Sequence, residues 1–323
     1  MARIALAGSA GRTLLAECPS ALLEFFSMPE ACALRLVCRE LRAAVAAHPW
    51  EDTESLILGS IGAWRACFPR ARCANVRMYE ISPYGGEMRR TPVVDADFVH
   101  FEGLRELNMG CCMAVTDAAF VHLRGIRVLN MCGCNQPAIT DAAFAHLVGI
   151  QKLCIWDCDQ TTLTDAAFVH LRGIEVLNIS DCRQFTDAAF AHLRGIHTLF
   201  MWGCAQPTLT DAALAHLRGI HSLVMEGCSQ GTFTRAGLAH LAGITRLGMW
   251  ACSEEAIAAA EELGLPAARR EYTEHGSFDC SFVEAEEGAG DGDEDVDEGD
   301  GADGDENNAV DERGENDGED DNT

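Results

Sequence analysis

An α/β solenoid, with one short helix and one strand in every repeat, is predicted by three observations. A phrase returns at nearly constant spacing, it carries a helix signature, and a strand signature follows it each time. The phrase is TDAAFVHLRGI at Thr116 to Ile126, and its histidine recurs at His100, His122, His146, His170, His192, His216 and His240. The steps are 22, 24, 24, 22, 24 and 24 residues. The strand phrase has the form I-x-x-L-x-M-x-x-C, as in IRVLNMCGC (Ile126 to Cys134), IEVLNISDC (Ile174 to Cys182) and IHTLFMWGC (Ile196 to Cys204).

The helix half reads directly. Thr164 is an N-cap, Asp165 places an acid on the positive end of the helix dipole, and Phe168 and Leu171 lie on one face. Gly173 can end the helix in a left-handed conformation. The expected helix is two turns long and depends on its neighbours for stability. In the strand half, positions 4 and 6 (Leu177, Ile179) point to one side, so positions 3, 5 and 7 point to the other. One face is core and the other is open.

The pattern L-x-x-L-x-L-x-x-N/C at this period resembles the leucine-rich repeat. Cys at the ninth position and T-D opening the helix resemble the cysteine-containing subclass found in many F-box proteins. The likeness recurs seven times over residues 94–252, with an imperfect earlier rung at Cys73 to Ile81. The two shorter repeats lose residues between the strand cysteine and the next threonine, as CRQFT against CAQPTLT shows. That change sits in a loop, where insertions are tolerated.

The aspartate and histidine of each phrase first suggest an acid and a base. On a helix, however, five residues place them about 140° apart. A histidine metal ladder is the other sharp reading, but packed helices stand about 8 to 10 Å apart, whereas zinc holds each nitrogen at about 2.0 Å. The expectation is a histidine on the flank between adjacent helices, with no metal and no cofactor. Of 16 cysteines, seven (Cys112, Cys134, Cys158, Cys182, Cys204, Cys228, Cys252) hold the ninth position and are expected as small buried hydrophobes. In this context they point to a reduced, intracellular chain, cytoplasmic or nuclear. Gln136, Gln160, Gln184, Gln206 and Gln230 are expected to tie the loops together by hydrogen bonds.

Upstream, residues 14–50 follow a short N-terminal segment, 1–13. They contain Pro19, a run through Leu22, Leu23, Phe25 and Phe26, a break at Pro29, and a second run through Leu34, Leu36, Val37 and Leu41. LRLVCRELR (Leu34 to Arg42) with Trp50 resembles the most specific part of an F-box; Cys18 stands where that family has leucine before the proline. The resemblance implies docking on the adaptor subunit of a cullin-RING ubiquitin ligase through Pro19, Leu22, Leu23, Leu34, Leu36 and Val37. Residues 51–93 form a connector with the imperfect first repeat.

Downstream, 253–266 reads as a polar-faced helix capping the solenoid, and 267–283 as a linker. Residues 284–323 hold 20 acidic residues and one basic, accounting for −19 of the formal net charge of −26. Such a segment cannot bury a core and is expected to be disordered.

The opening MARIALAGSAGR lacks a secretory signal pattern, and no stretch reaches the 18 to 20 apolar residues of a membrane span. The net charge argues against a nucleic-acid partner. The cluster Arg65, Arg70, Arg72, Arg77, Arg89 and Arg90 is expected as an arginine-rich surface near the F-box-like segment. No Walker loop, dinucleotide fingerprint or HExxH appears. The chain is therefore expected to be a non-enzymatic interaction protein, a monomer within a complex.

Position 7 of the strands runs Gly110, Cys132, Trp156, Ser180, Trp202, Glu226, Trp250. Variation on a fixed frame marks a target-binding surface, assigned to Lys152, Trp156, Phe200, Trp202, Glu226, Arg246 and Trp250. Lys152 is the single lysine among 24 basic residues. A second expectation, a stand-alone acidic leucine-rich-repeat protein that engages basic partners such as histones, differs from the first in having no use for residues 14–50.

Overall fold

A computed structural model describes residues 23–78 and 91–268. Nine parallel strands form one sheet in strict sequence order. They are β1 (Cys73–Asn75), β2 (Glu106–Asn108), β3 (Val128–Asn130), β4 (Lys152–Cys154), β5 (Val176–Asn178), β6 (Thr198–Phe200), β7 (Ser222–Val224), β8 (Arg246–Gly248) and β9 (Ala267–Ala268). Each pairs with the next in a constant register, for instance Leu129 with Leu153 and Leu153 with Leu177. This is a leucine-rich-repeat solenoid.

The core is one column per repeat position. Leu at position 4, Met or Ile at position 6 and Cys at position 9 are buried in every repeat, as are the phenylalanine or leucine of the helix phrase and the leucine three residues on, which is Phe101 in the first repeat. The imperfect rung supplies β1. The stretch read as a linker begins with β9, which adds a last short strand beyond the capping helix Glu254–Glu262.

The helices are shorter and tighter than expected. Asp117–Phe120, Asp141–Phe144 and Asp187–Phe190 are single α-turns, and Asp95–Phe101 and Asp165–Leu171 are 3₁₀ throughout. Strands stack about 4.8 Å apart, whereas α-helices need 8 to 10 Å, so the helical side of each repeat is pressed toward a thinner winding. Gly173 has φ +83° with open space around its missing Cβ, as the sequence anticipates for the end of that phrase.

The T-D phrase does more than start a helix. Thr140 donates to Asp117 of the preceding repeat twice, from its amide to Oδ1 and from Oγ1 to Oδ2, both at 2.7 Å. The same double bond joins Thr116 to Asp95, Thr164 to Asp141, Thr186 to Asp165, Thr210 to Asp187 and Thr234 to Asp211, at 2.5 to 2.8 Å. Each Oγ1 also accepts from an amide of its own first turn, Ala142 in the case of Thr140. A hydroxyl with one proton and two lone pairs can serve both roles at once. In the last repeat Arg235 replaces the aspartate and pairs with Glu262 of the capping helix at 3.4 Å.

The N-terminal helices are α1 (Met28–Leu34), α2 (Arg39–Ala47) and α3 (Ile61–Cys67). Pro29 lies in the first turn of α1, where its missing N–H costs nothing, so it opens a helix instead of breaking one. The run from Leu34 to Leu41 is divided, because Cys38 is extended (φ −155°, ψ 171°) and its sulfur caps α2 by accepting from the Leu41 amide. Leu36 and Val37 therefore sit in a turn. Residues 23–50, the described part of the segment 14–50 read as a helical domain, share one continuous core with the repeats: Trp50 meets Phe68 edge-on at 5.5 Å, and Trp64 meets Phe101 at 6.3 Å.

Gly173→Ala should cost about 1 kcal/mol in a denaturant titration, a backbone effect without a clash. A neutral result would mean that this turn relaxes to negative φ.

Candidate functional site

Constant register turns sequence positions into rows on the open face. Position 3 reads Glu106, Val128, Lys152, Val176, Thr198, Ser222 and Arg246 across seven neighbouring strands. The alignment continues past the strand ends, since Gly133, Asp157, Asp181, Gly203 and Gly227 donate their amides to the position 7 carbonyls of the next repeat at 2.7 to 3.0 Å. Position 5 is partly framework: the Oδ1 atoms of Asn75, Asn108, Asn130 and Asn178 accept from amides two residues on, closing the strand exit.

Position 8 is left-handed in every complete repeat. Glycine fills it at Gly133, Gly203 and Gly227, but Cys111, Asp157, Asp181 and Ala251 adopt φ of 56° to 59° there. The carboxylate of Asp181 accepts from the indole N–H of Trp156 at 3.0 Å and lies over Gly203, where any Cβ would collide with it. Burial raises the pKa of Asp157, reinforced by the nearby charges of Asp159 and Asp181. Asp157 and Asp181 belong to this surface and were absent from the sequence assignment; the signal was the aspartate in CIWDC and NISDC, where three other repeats have glycine.

The assigned residues divide by exposure. Arg246 is exposed and Trp250 is 39% exposed, while Lys152, Trp156, Phe200 and Trp202 are half-buried. Glu226 retains only 7% exposure, its carboxylate packed beside Gly248, so it offers little surface. Burial raises the pKa of Glu106, and the charge of Lys152 opposes that rise. One row further out, His197 and His221 stack at 4.5 Å.

The repeated aspartates are held by threonines, and His122, His146 and His240 face the preceding repeat. His122 Nδ1 meets Glu102 at 2.7 Å, and Arg124 and Arg218 donate to His146 and His240 at 3.4 and 3.2 Å. In each case the partner occupies the residue before the helix-ending glycine. Among the described residues no group of three or more His, Cys, Asp or Glu is arranged to hold a metal ion, and no helix is long and apolar enough to cross a membrane.

The remaining side chains singled out in the sequence serve the frame. Arg65 donates to the carbonyls of Ala71 and Glu102, Arg70 to that of Ala47, and Arg72 to the carboxylate of Glu51. Arg89 and Arg90 lie outside the described residues. The glutamines donate from Nε2 to carbonyls of the preceding repeat, Gln136 to Cys112 and Val115, and Gln160 to Cys134. The ninth-position thiols donate in the same way: Cys158 to Met131, Cys182 to Ile155 and Cys252 to Met225. Burial pushes the Cys134, Cys204 and Cys252 thiols up to about 12, and raises those of Cys158, Cys182 and Cys228 well above their ordinary value.

No protein family matches the sequence, and no curated protein matches it. Solved structures do. The TLR13 chain of a complex with single-stranded RNA is 16% identical with a TM-score of 0.46, over 60% of this chain and 26% of that one. A chain of the yeast Rad7–Elc1 complex is 14% identical with a TM-score of 0.46, over 64% and 56%. Internalin C2 from Listeria monocytogenes is 17% identical with a TM-score of 0.46, over 62% and 80%. The chain thus spans about a quarter of the TLR13 chain and little more than half of the yeast chain.

The ninth-position thiols should resist alkylation at pH 8 and react only after unfolding, because a thiol near 12 is ionised to roughly one part in ten thousand. Peptide mass mapping checks this; rapid native labelling of Cys134 or Cys204 would contradict their burial. Since the folded Cys134, Cys204 and Cys252 thiols ionise at about 12 and unfolded ones near 9, stability should fall as pH rises from about 9 to 12. On the open face, Trp250→Ala should change stability by less than about 0.5 kcal/mol, whereas Trp156→Ala should cost about 1 kcal/mol or more by removing a donor from Asp181. Equal costs would place both rings in the same environment.

Proposed function

We propose that this chain is a non-catalytic recognition scaffold, the target-binding subunit of a cullin-RING ubiquitin ligase. In this reading the N-terminal helices dock on the ligase adaptor, the open face of the repeats holds a target protein, and other subunits carry out ubiquitin transfer. The observation that carries it is an inversion of burial in the F-box-like segment. Leu36 is 81% exposed, Val37 68% and Phe25 83%, while Leu23, Met28, Ala31, Val45 and Trp50 are packed inward. Large apolar side chains left in water beside a well-buried set mark a surface meant to be covered.

The burial pattern narrows the docking residues. Leu23 is 2% exposed and belongs to the core; Leu34 is half-buried and packs against that core. Neither offers much to a partner. Pro19 and Leu22 lie outside the described residues. Leu36 and Val37 keep the docking role, and Phe25 joins them. On the open face, Trp250, Trp202, Trp156 and Phe200 are the candidate anchors, since aromatic rings dominate the energetics of most protein interfaces. The second reading, an acidic repeat protein binding basic partners such as histones, draws on the 20 acidic residues of 284–323.

Leu36→Ala with Val37→Ala should reduce recovery of the adaptor at least tenfold in a pull-down while the thermal midpoint stays nearly constant, as expected of exposed positions. Leu23→Ala should instead destabilise the fold by about 2 to 4 kcal/mol. Undiminished adaptor recovery by the double variant, or recovery of histones alone from the wild-type chain, would replace the ligase reading with the second one.

A further inference from the structure

On the helical side of the repeats, the residues that the core leaves out make a second surface. In the phrase that opens at Thr116, Ala119, Phe120 and Leu123 face the core, while Val121 and Arg124 are exposed. Val121–Leu123 is a 3₁₀ turn closed by Arg124, and such winding puts a residue and the third one after it on the same side. Val169 and Arg172 form the same exposed pair two repeats on. In the repeat between them the order changes: Ala145 takes the place of the valine, and Val148 that of the arginine.

The row that holds Val148 is otherwise charged or basic, reading Glu102, Arg124, Val148, Arg172, Arg194 and Arg218 over successive repeats. Val148 is 64% exposed and so stands in water between two arginines of its row. Arg124 donates from Nε to Nδ1 of His146 at 3.4 Å, and Nη2 of Arg172 meets Nδ1 of His192 at 3.5 Å. Each histidine thus holds a guanidinium along the ridge, with donors to spare. A parallel row starts with Arg105 and Arg127, both exposed and aligned by the Arg127 amide, which donates to the Arg105 carbonyl at 2.8 Å. On a chain of net charge −26 these two rows hold six arginines and two acids. Both acids are engaged, Glu102 with His122 at 2.7 Å and Glu175 with Gln151 at 3.3 Å. The repeated aspartates stand at the opposite end of each phrase, in the threonine clamps.

We propose that this ridge, over the second to fourth repeats, docks an acidic polypeptide segment that also carries aliphatic side chains. Its carboxylates meet the arginine rows, and its aliphatic groups cover Val121, Val148 and Val169. Exposed apolar groups gain from such cover, and the guanidinium fork matches a carboxylate. Arginines already held by histidines lose less side-chain freedom on binding. A nucleic acid suits the ridge less well, because single strands bind by stacking on aromatic rings, and the large apolar side chains exposed here are valines. The inference rests on neither the open face nor the turn of Leu36 and Val37.

The test titrates the full chain into fluorescent probes and reads anisotropy. The first probe is a peptide of about 15 residues, about 22 Å long as a helix, with leucine on one face and glutamate on the other. The second replaces each leucine by serine at equal charge, and the third is a single-stranded oligothymidylate of similar length. The leucine–glutamate peptide should bind about tenfold tighter than either of the others, and more weakly as salt rises from about 50 to 300 mM. Val121→Ser with Val148→Ser should weaken it about tenfold, as should Arg124→Glu with Arg172→Glu. All four positions are exposed, so the thermal midpoint should stay nearly constant. Trp202→Ala with Trp250→Ala, on the open face, should leave the affinity unchanged. If a ridge variant unfolds, hydrogen exchange on the wild-type chain decides: the bound peptide should slow exchange at residues 118–124, 142–148 and 166–172 and not in the strands. Equal binding of the serine peptide, tighter binding of the oligonucleotide, no binding of the leucine–glutamate peptide, or its loss in the tryptophan variant would overturn the proposal.

Discussion

The clamp between the threonine of one repeat and the aspartate of the repeat before it is the interaction on which the rest of this structure depends. A strand of three residues and a single helical turn have no stability of their own. They persist because each repeat is fixed to its neighbour on both sides, by sheet hydrogen bonds on one and by the paired Thr–Asp bonds on the other. Six copies of that clamp run from Asp95 to Thr234, and the run stops where Arg235 takes the aspartate's place. Buried cysteines and glutamines add donors directed at carbonyls of preceding repeats, so the loops are tied in the same direction.

A frame held this way frees the open face from structural duty. Its register is set by backbone bonds that any residue can make, so position 7 can be Ser180, Trp202, Glu226 or Trp250 without moving the strands. The freedom is not complete. Asparagine at position 5 closes the strand exit, and Asp181 is held by Trp156 on one side and over Gly203 on the other. What varies is a thin layer of aromatic and charged side chains on a surface whose spacing is fixed.

Much of this was legible in the sequence because the repeat states each requirement seven times. The leucine column, the ninth-position cysteine and the glycine ending each helix phrase follow from periodicity and backbone conformation alone. The partner of the aspartate did not, since an acid in the first turn already has a sufficient local explanation in the helix dipole, and nothing in one repeat shows that the next threonine comes within 2.7 Å. The break in the run from Leu34 to Leu41, which puts Leu36 and Val37 in a turn, was not legible, because a cysteine is a rare cap and its extended backbone leaves no sequence signal. Glu226 looked like an open-face group, but its burial depends on the glycine one strand away, a contact between positions 22 residues apart.

The central claim is that the recurring threonine and aspartate act on each other across repeats, not as an acid site and a separate helix cap. A double-mutant cycle on Asp141→Ala and Thr164→Val, read by denaturant unfolding, tests it most directly. The clamp predicts a coupling energy of about 1 kcal/mol between two residues 23 apart in sequence. Additive losses, with coupling below about 0.3 kcal/mol, would show that each residue stabilises only its own repeat.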